Sequence, residues 1–352
     1  MRIFLYEHLT GGGLLDDAAP LCDVRSLRAE GQAMCGALAA DLSASEGIEV
    51  TCLRDANLVD FVPVCRRTIE VRTIDERNAE FDVAAAEADW TIVIAPEIDG
   101  ILADRCRRVM DRGGRLLGGS LSLIDLASDK QATALHLERA GVPVPPGIPF
   151  PLGQPWPTDF RYPAVWKPLD GAGSQGLRWI ENCHAPVPSV DAQPGRLELF
   201  CPRPCDSPVA RAGQPEHSSV GTPASVAFLC GPDVCVSLPP CTQRLDSDFR
   251  YLGGGLPLVP SLAERATRLA CSAIRSLPEP IGYVGIDLVL GVTENGDDDV
   301  VIEVNPRLTT SYLGLRAACR ENLAAAMLAI AGGRPFPLSF REDSIEFSAD
   351  GR

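Results

Sequence analysis

Over its first third the chain alternates short apolar runs with helically spaced apolar stripes. Residues 2–6 (RIFLY) read as a strand, Leu27 to Leu42 as a helix with Ala and Leu at helical spacing, and Val50 to Leu53 as a second strand. Phe81 to Ala88 reads as a helix, Trp90 to Ala95 as a strongly apolar strand, and Ile101 to Arg112 as a helix stopped by Gly113 and Gly114. Arg115 to Leu117 then reads as a short strand. Strands alternating with helices predict an open, largely parallel α/β sheet covered on both faces. Ligands collect at the carboxyl ends of strands in such sheets. The loops Glu7–Gly13 and Pro96–Asp99 would lie there. The glycines after the first strand do not form G-x-G-x-x-G opening a helix, so no dinucleotide site is expected.

The pattern changes near Gly118–Leu121. Gln131 to Ala140 reads as a helix, with Ser128 or Asp129 as its cap and Gly141 as its stop. Pro163–Pro168, carrying Lys167, and Leu177–Ile180 read as strands. They flank a glycine loop, Asp170-Gly171-Ala172-Gly173-Ser174-Gln175-Gly176. Leu197–Phe200 is a further short strand. Cys201 to Pro223, rich in Pro, Gly, Ser and Ala, reads as a surface insertion. Ala224–Leu229 and Val234–Leu238 are strands joined by a turn, and Leu245–Gly255 reads as a long polar, glycine-rich loop. Leu262–Ser276 and Tyr312–Ala331 read as helices, and Ser344–Phe347 as a strand. These shifts predict three units: an α/β domain over 1–120, a small lobe over 121–196 and a large lobe over 197–352.

Gly282 to Tyr312 carries the densest chemistry. Val284–Leu290 and Val300–Val304 are apolar strands joined by a turn rich in Asn, Gly and Asp, which predicts a hairpin. Glu303 and Asn305 share a face by strand alternation, and an antiparallel hairpin would bring Asp287 to it. Three oxygen-bearing side chains there suit Mg²⁺, or Mn²⁺ in its place, with phosphates and waters completing the shell. Arg307 follows at once, with a fork that matches phosphate geometry. Asp287 alone reads equally well as a solvent-facing acid.

The net charge of −15 excludes the clustered basic surface that a nucleic-acid binder needs. No apolar run reaches the roughly 20 residues of a membrane span. The opening strand does not read as a targeting segment. The thirteen cysteines are scattered, with no C-x-x-C pair, and read as reduced thiols of a cytoplasmic protein. Cys201, Cys205, Cys230 and Cys235 are the closest pairs, and a zinc site there is a minor alternative. Nothing in the sequence sets the oligomeric state; a homodimer is compatible with it.

Lys130, Lys167, the glycine loop, the Asp–Glu–Asn set and Arg307 together describe a nucleoside triphosphate site. The lysines would offset phosphate charge, and glycine-loop amides could wrap phosphate oxygens. A plain hairpin turn is the simpler reading of the loop by itself; the lysine before it favours phosphate. Neither the Walker pattern nor the kinase H-R-D set is present.

The order Lys130, Lys167 with its glycine loop, Glu198 in LELF, Asp287 in GIDLVL, and Glu303-Val304-Asn305-Pro306-Arg307 resembles the ATP-grasp enzymes over roughly residues 120–330. The residues before it are similar to that superfamily's preceding α/β domain. The resemblance implies ATP between two α+β halves. It places phosphates on Lys130, Lys167, Gly171, Gly173, Ser174 and Gly176, and adenine along Glu198, Leu199 and Phe200. It assigns Mg²⁺ to Asp287, Glu303 and Asn305, and gives Arg307 and Lys167 catalytic roles on the transferred phosphoryl group. It further implies small-molecule carboxylate and amine substrates joined through an acyl phosphate. The opening FLYEHLTGGG and IEVNPRLTTSYLGLR are similar to the tyramine–glutamate ligase group of methanofuran biosynthesis and its bacterial relatives. The turn after LELF departs from the family pattern, which leaves the ribose-binding acid unassigned; Glu216 is one candidate. Two other readings stand beside a ligase: a non-catalytic nucleotide-binding regulator with the same fold, and a kinase-like transfer ending at a phosphorylated product.

Overall fold

A computed structural model describes residues 1–15, 24–171, 176–188, 193–201 and 221–351. Gly173, Ser174, Cys205, Glu216 and most of the 201–223 insertion lie outside the described residues.

The N-terminal unit contains β1 (Arg2–Glu7), α1 (Val24–Ser43), β2 (Glu49–Asp55), β3 (Arg67–Val71), α2 (Ile74–Glu87), β4 (Trp90–Ile94) and α3 (Ile101–Asp111). Its sheet runs β3-β2-β1-β4 with every pair parallel. β1 is central, and all its residues after Arg2 are buried, as its continuous apolar run requires. β3 was not legible: only Val71 in it is buried, so an edge strand there carries no apolar run. Residues 115–117 add a single parallel bridge, Leu116 to Thr91, rather than a strand. α2 begins earlier than its apolar pattern suggests. Thr73 caps it by accepting from the Glu76 N–H, with Asp75 and Glu76 in the first turn.

The small lobe follows α4 (Leu121–Ala127) and α5 (Lys130–Arg139), the second capped by Asp129 through the N–H groups of Gln131 and Ala132. Its antiparallel sheet runs β5-β8-β6-β7, from β5 (Gly147–Pro149), β6 (Ala164–Pro168), β7 (Arg178–Ile180) and β8 (Gly195–Leu199). A division at 196/197 therefore runs through β8.

The large lobe contains β9 (Thr222–Cys230), β10 (Cys235–Ser237), β11 (Cys241–Leu245), β12 (Tyr251–Leu256), α6 (Pro260–Ser276), β13 (Gly282–Leu290), β14 (Val300–Asn305), α7 (Ser311–Ala318), α8 (Leu323–Ala331) and β15 (Ile345–Ser348). Its sheet runs β14-β13-β9-β11-β12-β15, with β10 on β9. Two expectations change here. Residues 245–255 are not one long loop: only 246–250 connect, and Tyr251–Leu256 pairs with β11 as a hairpin. Its glycines serve close backbone approach: a Cβ on Gly254 would stand 2.1 Å from the Thr242 carbonyl oxygen. The single helix expected over 312–331 is two helices, because Asn322 caps α8 by accepting from the Ala325 N–H.

The N-terminal unit and the large lobe share one core, in which Leu5, Leu38, Leu42 and Ile92 join Tyr312, Leu315 and Met327. Asp41 of α1 ties them further. Its carboxylate accepts from Tyr312 Oη at 2.6 Å and Arg316 Nε at 2.7 Å, and its carbonyl accepts from Asn322 Nδ2 at 2.6 Å. This docking holds the carboxyl ends of β1 and β4 beside the β13–β14 hairpin.

Candidate active site

β13 and β14 pair antiparallel with Asp287 opposite Glu303 and a register shift immediately after Asp287. Asp287 Oδ2 accepts from Asn305 Nδ2 at 3.0 Å, so the three expected metal residues do share one face. Gln243 of β11 donates to Asp287 Oδ1 at 2.8 Å. Burial, and then the facing Glu303 carboxylate, push Asp287 up to about 7 against these hydrogen bonds. Burial also works to raise Glu303, but Lys130 and Lys167 outweigh it and hold Glu303 below the usual range. The turn behind the hairpin is fixed by Arg265 of α6. It donates to Asp299 Oδ2 at 3.0 Å and to the Gly291 carbonyl at 2.9 Å, and the Gly291 N–H returns a bond to Asp299 at 2.8 Å.

Two lysines face the hairpin. Lys130, the first residue of α5, reaches Glu303 Oε1 and the Gly171 carbonyl, both at 3.0 Å. Burial lowers its affinity for a proton, Glu303 raises it, and the net shift is upward. Lys167 of β6 lies 2.6 Å from Glu198 Oε1, and Arg196 Nε lies 3.1 Å from Glu198 Oε2. Arg196 also donates to Gln131 and to the Pro145 carbonyl. The Glu198 carboxylate, expected along adenine, is here the anion between two buried cations. Lys167 and Glu198 alternate inward from neighbouring strands, with Val165 as the register partner of Glu198.

Arg307 follows β14 and lies mostly buried against the N-terminal unit. Its Nε and Nη2 donate to the two oxygens of Glu97, each at 2.9 Å, and Nη1 donates to the Leu308 carbonyl at 3.2 Å. Burial disfavours its charge, but Glu97 more than compensates. From the other N-terminal loop, Glu7 is buried, with its carboxylate accepting the N–H groups of Leu9 and Thr10. Burial nevertheless raises its pKa.

Of these groups, Lys130, Lys167, Glu198, Gln243, Asp287, Glu303, Asn305 and Arg307 line one cleft of about 350 Å³. Its lining is of two kinds: apolar side chains at Val165, Leu199, Phe200, Phe249, Leu288 and Ile302, and polar ones at Lys130, Lys167, Asp287, Glu303, Asn305 and Arg307. Gly171 lines it too, whereas Gly176 does not; it sits at positive φ, where an added Cβ would meet the Pro168 ring. Phe200 packs edge-on to Trp179 with centroids 4.8 Å apart. Sequence reasoning missed Arg196 and Gln243, and for Glu97 it reached only the loop Pro96–Asp99 that carries it. The i, i+2 spacing of Arg196 and Glu198 puts both on one strand face, but the contact with Lys167 needs the neighbouring strand; nothing in the local pattern marked Gln243.

Among the described residues, no three His, Cys, Asp or Glu side chains gather as a metal site. Cys201 lines the cleft, while Cys230 faces Cys235 across β9 and β10, so these thiols do not converge. Those described are free thiols.

A family model for the ATP-grasp domain matches residues 218–311, and one for the pre ATP-grasp 3 domain matches residues 48–124. The chain belongs to the ATP-grasp superfamily. Within it, the chain is 22% identical over 302 residues to tyramine–L-glutamate ligase of Methanocaldococcus jannaschii, covering 84% of this chain and 79% of that protein. The fold also resembles biotin carboxylase of Campylobacter jejuni in complex with β,γ-ATP, with TM-score 0.68, 16% identity, and 96% and 73% of the two chains covered. The biotin carboxylase domain of Hydrogenobacter thermophilus 2-oxoglutarate carboxylase, solved with MgADP and bicarbonate, gives TM-score 0.65 at 16% identity over 96% and 71%.

ATP-grasp proteins bind ATP with Mg²⁺, and the donor set of this chain fits that ion. Two carboxylates and an amide supply only oxygens for a hard cation that retains phosphate ligands. The raised pKa of Asp287 marks a place where positive charge is wanted. Asp287, Glu303 and Asn305 would hold the metal. Among the described residues no helix is long and apolar enough to cross a membrane.

Proposed function

We propose that the chain is an ATP-dependent carboxylate–amine ligase that forms an amide and releases ADP and phosphate. The observation that carries this reading is the mixed lining of one cleft: apolar and aromatic side chains suited to a flat base, together with two lysines, an arginine and two carboxylates. Phosphoryl transfer needs positioning and charge stabilisation more than covalent help. Lys130 and Lys167 neutralise phosphate oxygens, and each already holds an anionic partner that phosphate can replace. Arg307 offers its remaining N–H groups to the transferred group. When bound, Mg²⁺ offsets charge on the phosphates. The substrate carboxylate attacks the γ-phosphorus, breaking its bond to the β-bridging oxygen and giving ADP and an acyl phosphate. The amine then attacks the acyl carbon, and phosphate leaves as the amide forms and the amine loses a proton.

The relative from M. jannaschii joins tyramine to L-glutamate by its name. Glutamate with an arylamine or an amino acid, in a methanofuran-like cofactor pathway, is therefore the first pair to test here. The test is ADP release across a panel of amino acids and arylamines with Mg²⁺. ADP and phosphate that require both an acid and an amine support a ligase. AMP and pyrophosphate, or nucleotide binding without ADP under every combination, rule it out.

A further inference from the structure

The Glu97–Arg307 pair joins the N-terminal unit to the catalytic strand, and it uses Arg307 in a particular way. A guanidinium has five N–H groups. Glu97 takes the side-on fork of Nε and Nη2, and the Leu308 carbonyl takes one N–H of Nη1. What remains for the cleft is one N–H from each terminal nitrogen. Arg307 lines that cleft, with its side chain only 12% exposed and that of Glu97 4% exposed. A long, flexible cation is thus reduced to one orientation by a group outside the nucleotide-binding lobes.

The support for Glu97 is itself fixed. The turn after it passes through Asp99 at φ 49 and Gly100 at φ 70. A non-glycine residue in that region persists only where its surroundings hold it. The holding contact is the Asp99 N–H, which donates to Asp170 Oδ2 at 2.8 Å. The next residue, Gly171, gives its carbonyl to Lys130. The Leu102 N–H closes the turn onto the Pro96 carbonyl at 3.1 Å. One short N-terminal segment therefore grips the large lobe at Arg307 and the small lobe at the start of the glycine loop.

We infer that Glu97 is the positioning residue for Arg307, aiming its free N–H groups at the transferring phosphoryl group without touching nucleotide itself. The inference rests on the role given to Arg307 under the proposed ligase reading. It separates binding from turnover. Glu97 removes positive charge from the cleft, so its loss leaves nucleotide affinity intact or tighter, while a swinging Arg307 serves the transition state poorly.

The experiment compares wild type with Glu97→Gln, Glu97→Asp and Glu97→Ala. Three readouts are taken: ADP affinity by calorimetry, kcat and KM for ATP, and the Arg307 Nε–Hε resonance in ¹H–¹⁵N spectra, assigned with Arg307→Lys. In wild type the resonance is expected to be sharp and slow to exchange. It is expected to be lost in Glu97→Ala, with kcat falling at least about tenfold and KM for ATP within about twofold. Glu97→Asp should recover part of kcat. An unchanged Arg307 resonance in folded Glu97→Ala overturns the inference, as does unchanged kcat. Equal losses in ADP affinity and kcat, tracking a loss of folded protein, also overturn it. Glu97→Gln, nearly isosteric, keeps the test open if the alanine variant does not fold. If wild type turns over no substrate pair, the ligase reading fails, while the resonance still decides whether Glu97 orients Arg307.

Discussion

Asp287 and Glu303 stand directly opposite each other on β13 and β14, yet they are balanced by different neighbours. Glu303 meets the Lys130 ammonium at 3.0 Å. Asp287 accepts from the amides of Asn305 and Gln243, with Arg307 acting on it from a distance. Like charges this close cannot both ionise without cost. Glu303 stays ionised, and Asp287 holds its proton up to about 7. The pair is poised for a cation that would relieve both.

Glu303→Gln should therefore keep the fold and lose turnover. The substitution removes one carboxylate charge from the hairpin and takes from Lys130 its ion-pair partner, while the bond to the Gly171 carbonyl remains. Loss of one electrostatic group at a phosphoryl-transfer site typically costs about 100- to 1,000-fold in kcat. Circular dichroism should match wild type. Arg307→Ala should give a loss of similar size. Near-normal ADP release in both variants would remove these residues from the mechanism.

Asp287 makes the metal-free protein sensitive to pH in a defined direction. Its folded pKa of about 7 lies above the ordinary value of 3.8. Between these values the folded state keeps a proton that the unfolded chain has lost. The stability owed to the protonated carboxyl is thus full below the lower value and is lost as pH rises through the upper one. In EDTA, Asp287→Asn should gain on wild type from about pH 4 to about pH 7 and level off beyond. With Mg²⁺ and ADP the order should reverse, because the cation favours the ionised carboxylate. Thermal unfolding under both conditions measures this. A constant difference across pH in EDTA would contradict it.

Glu198 sits between Lys167 and Arg196, all three almost fully buried. Removing the anion leaves two cations facing each other out of water, a change that typically costs about 3–5 kcal/mol. A bound phosphate chain can restore the balance. Glu198→Gln should therefore lower the melting temperature strongly without ligand and show a larger stabilisation by ADP than wild type does. An ADP-induced shift equal to that of wild type would mean that Lys167 does not meet the phosphates.

The sequence made the β13–β14 hairpin, and the face that Asp287, Glu303 and Asn305 share, legible because three signals coincide there: two apolar runs, a turn between them, and acids at alternating positions. The four-stranded parallel sheet was legible except for β3, whose residues carry no apolar run because the strand lies at an edge. Glycine density misled at 251–256, since Gly253 and Gly254 serve close packing within a strand as readily as a loop would use them. The break between α7 and α8 lay in a single capping Asn322. The role of Arg196 depends on β8 lying beside β6, and that of Glu97 on the docking of one domain against another. Neither is a property of a local window.

Arg265 and Asp299 form a buried, bidentate pair that touches no part of the cleft. Their side chains are 9% and 6% exposed, and between them they tie α6 to both ends of the turn joining β13 and β14. Burial of two charges is offset here by additional hydrogen bonds from and to Gly291, which is the condition for such a pair to be tolerated. Asp299→Ala strands the Arg265 guanidinium and frees the Gly291 N–H at once. It should destabilise the protein by about 3–5 kcal/mol. The double change Arg265→Leu with Asp299→Ala should cost less than the sum of the single changes, because no charge is left buried. The hairpin turn governs where Asp287 and Glu303 meet, so the single variant should also weaken Mg²⁺-dependent stabilisation by ADP. Denaturant unfolding of the four proteins, with and without Mg²⁺ and ADP, tests both statements. Additive losses, with the ADP effect intact, would show that the pair carries stability alone and does not set the metal face.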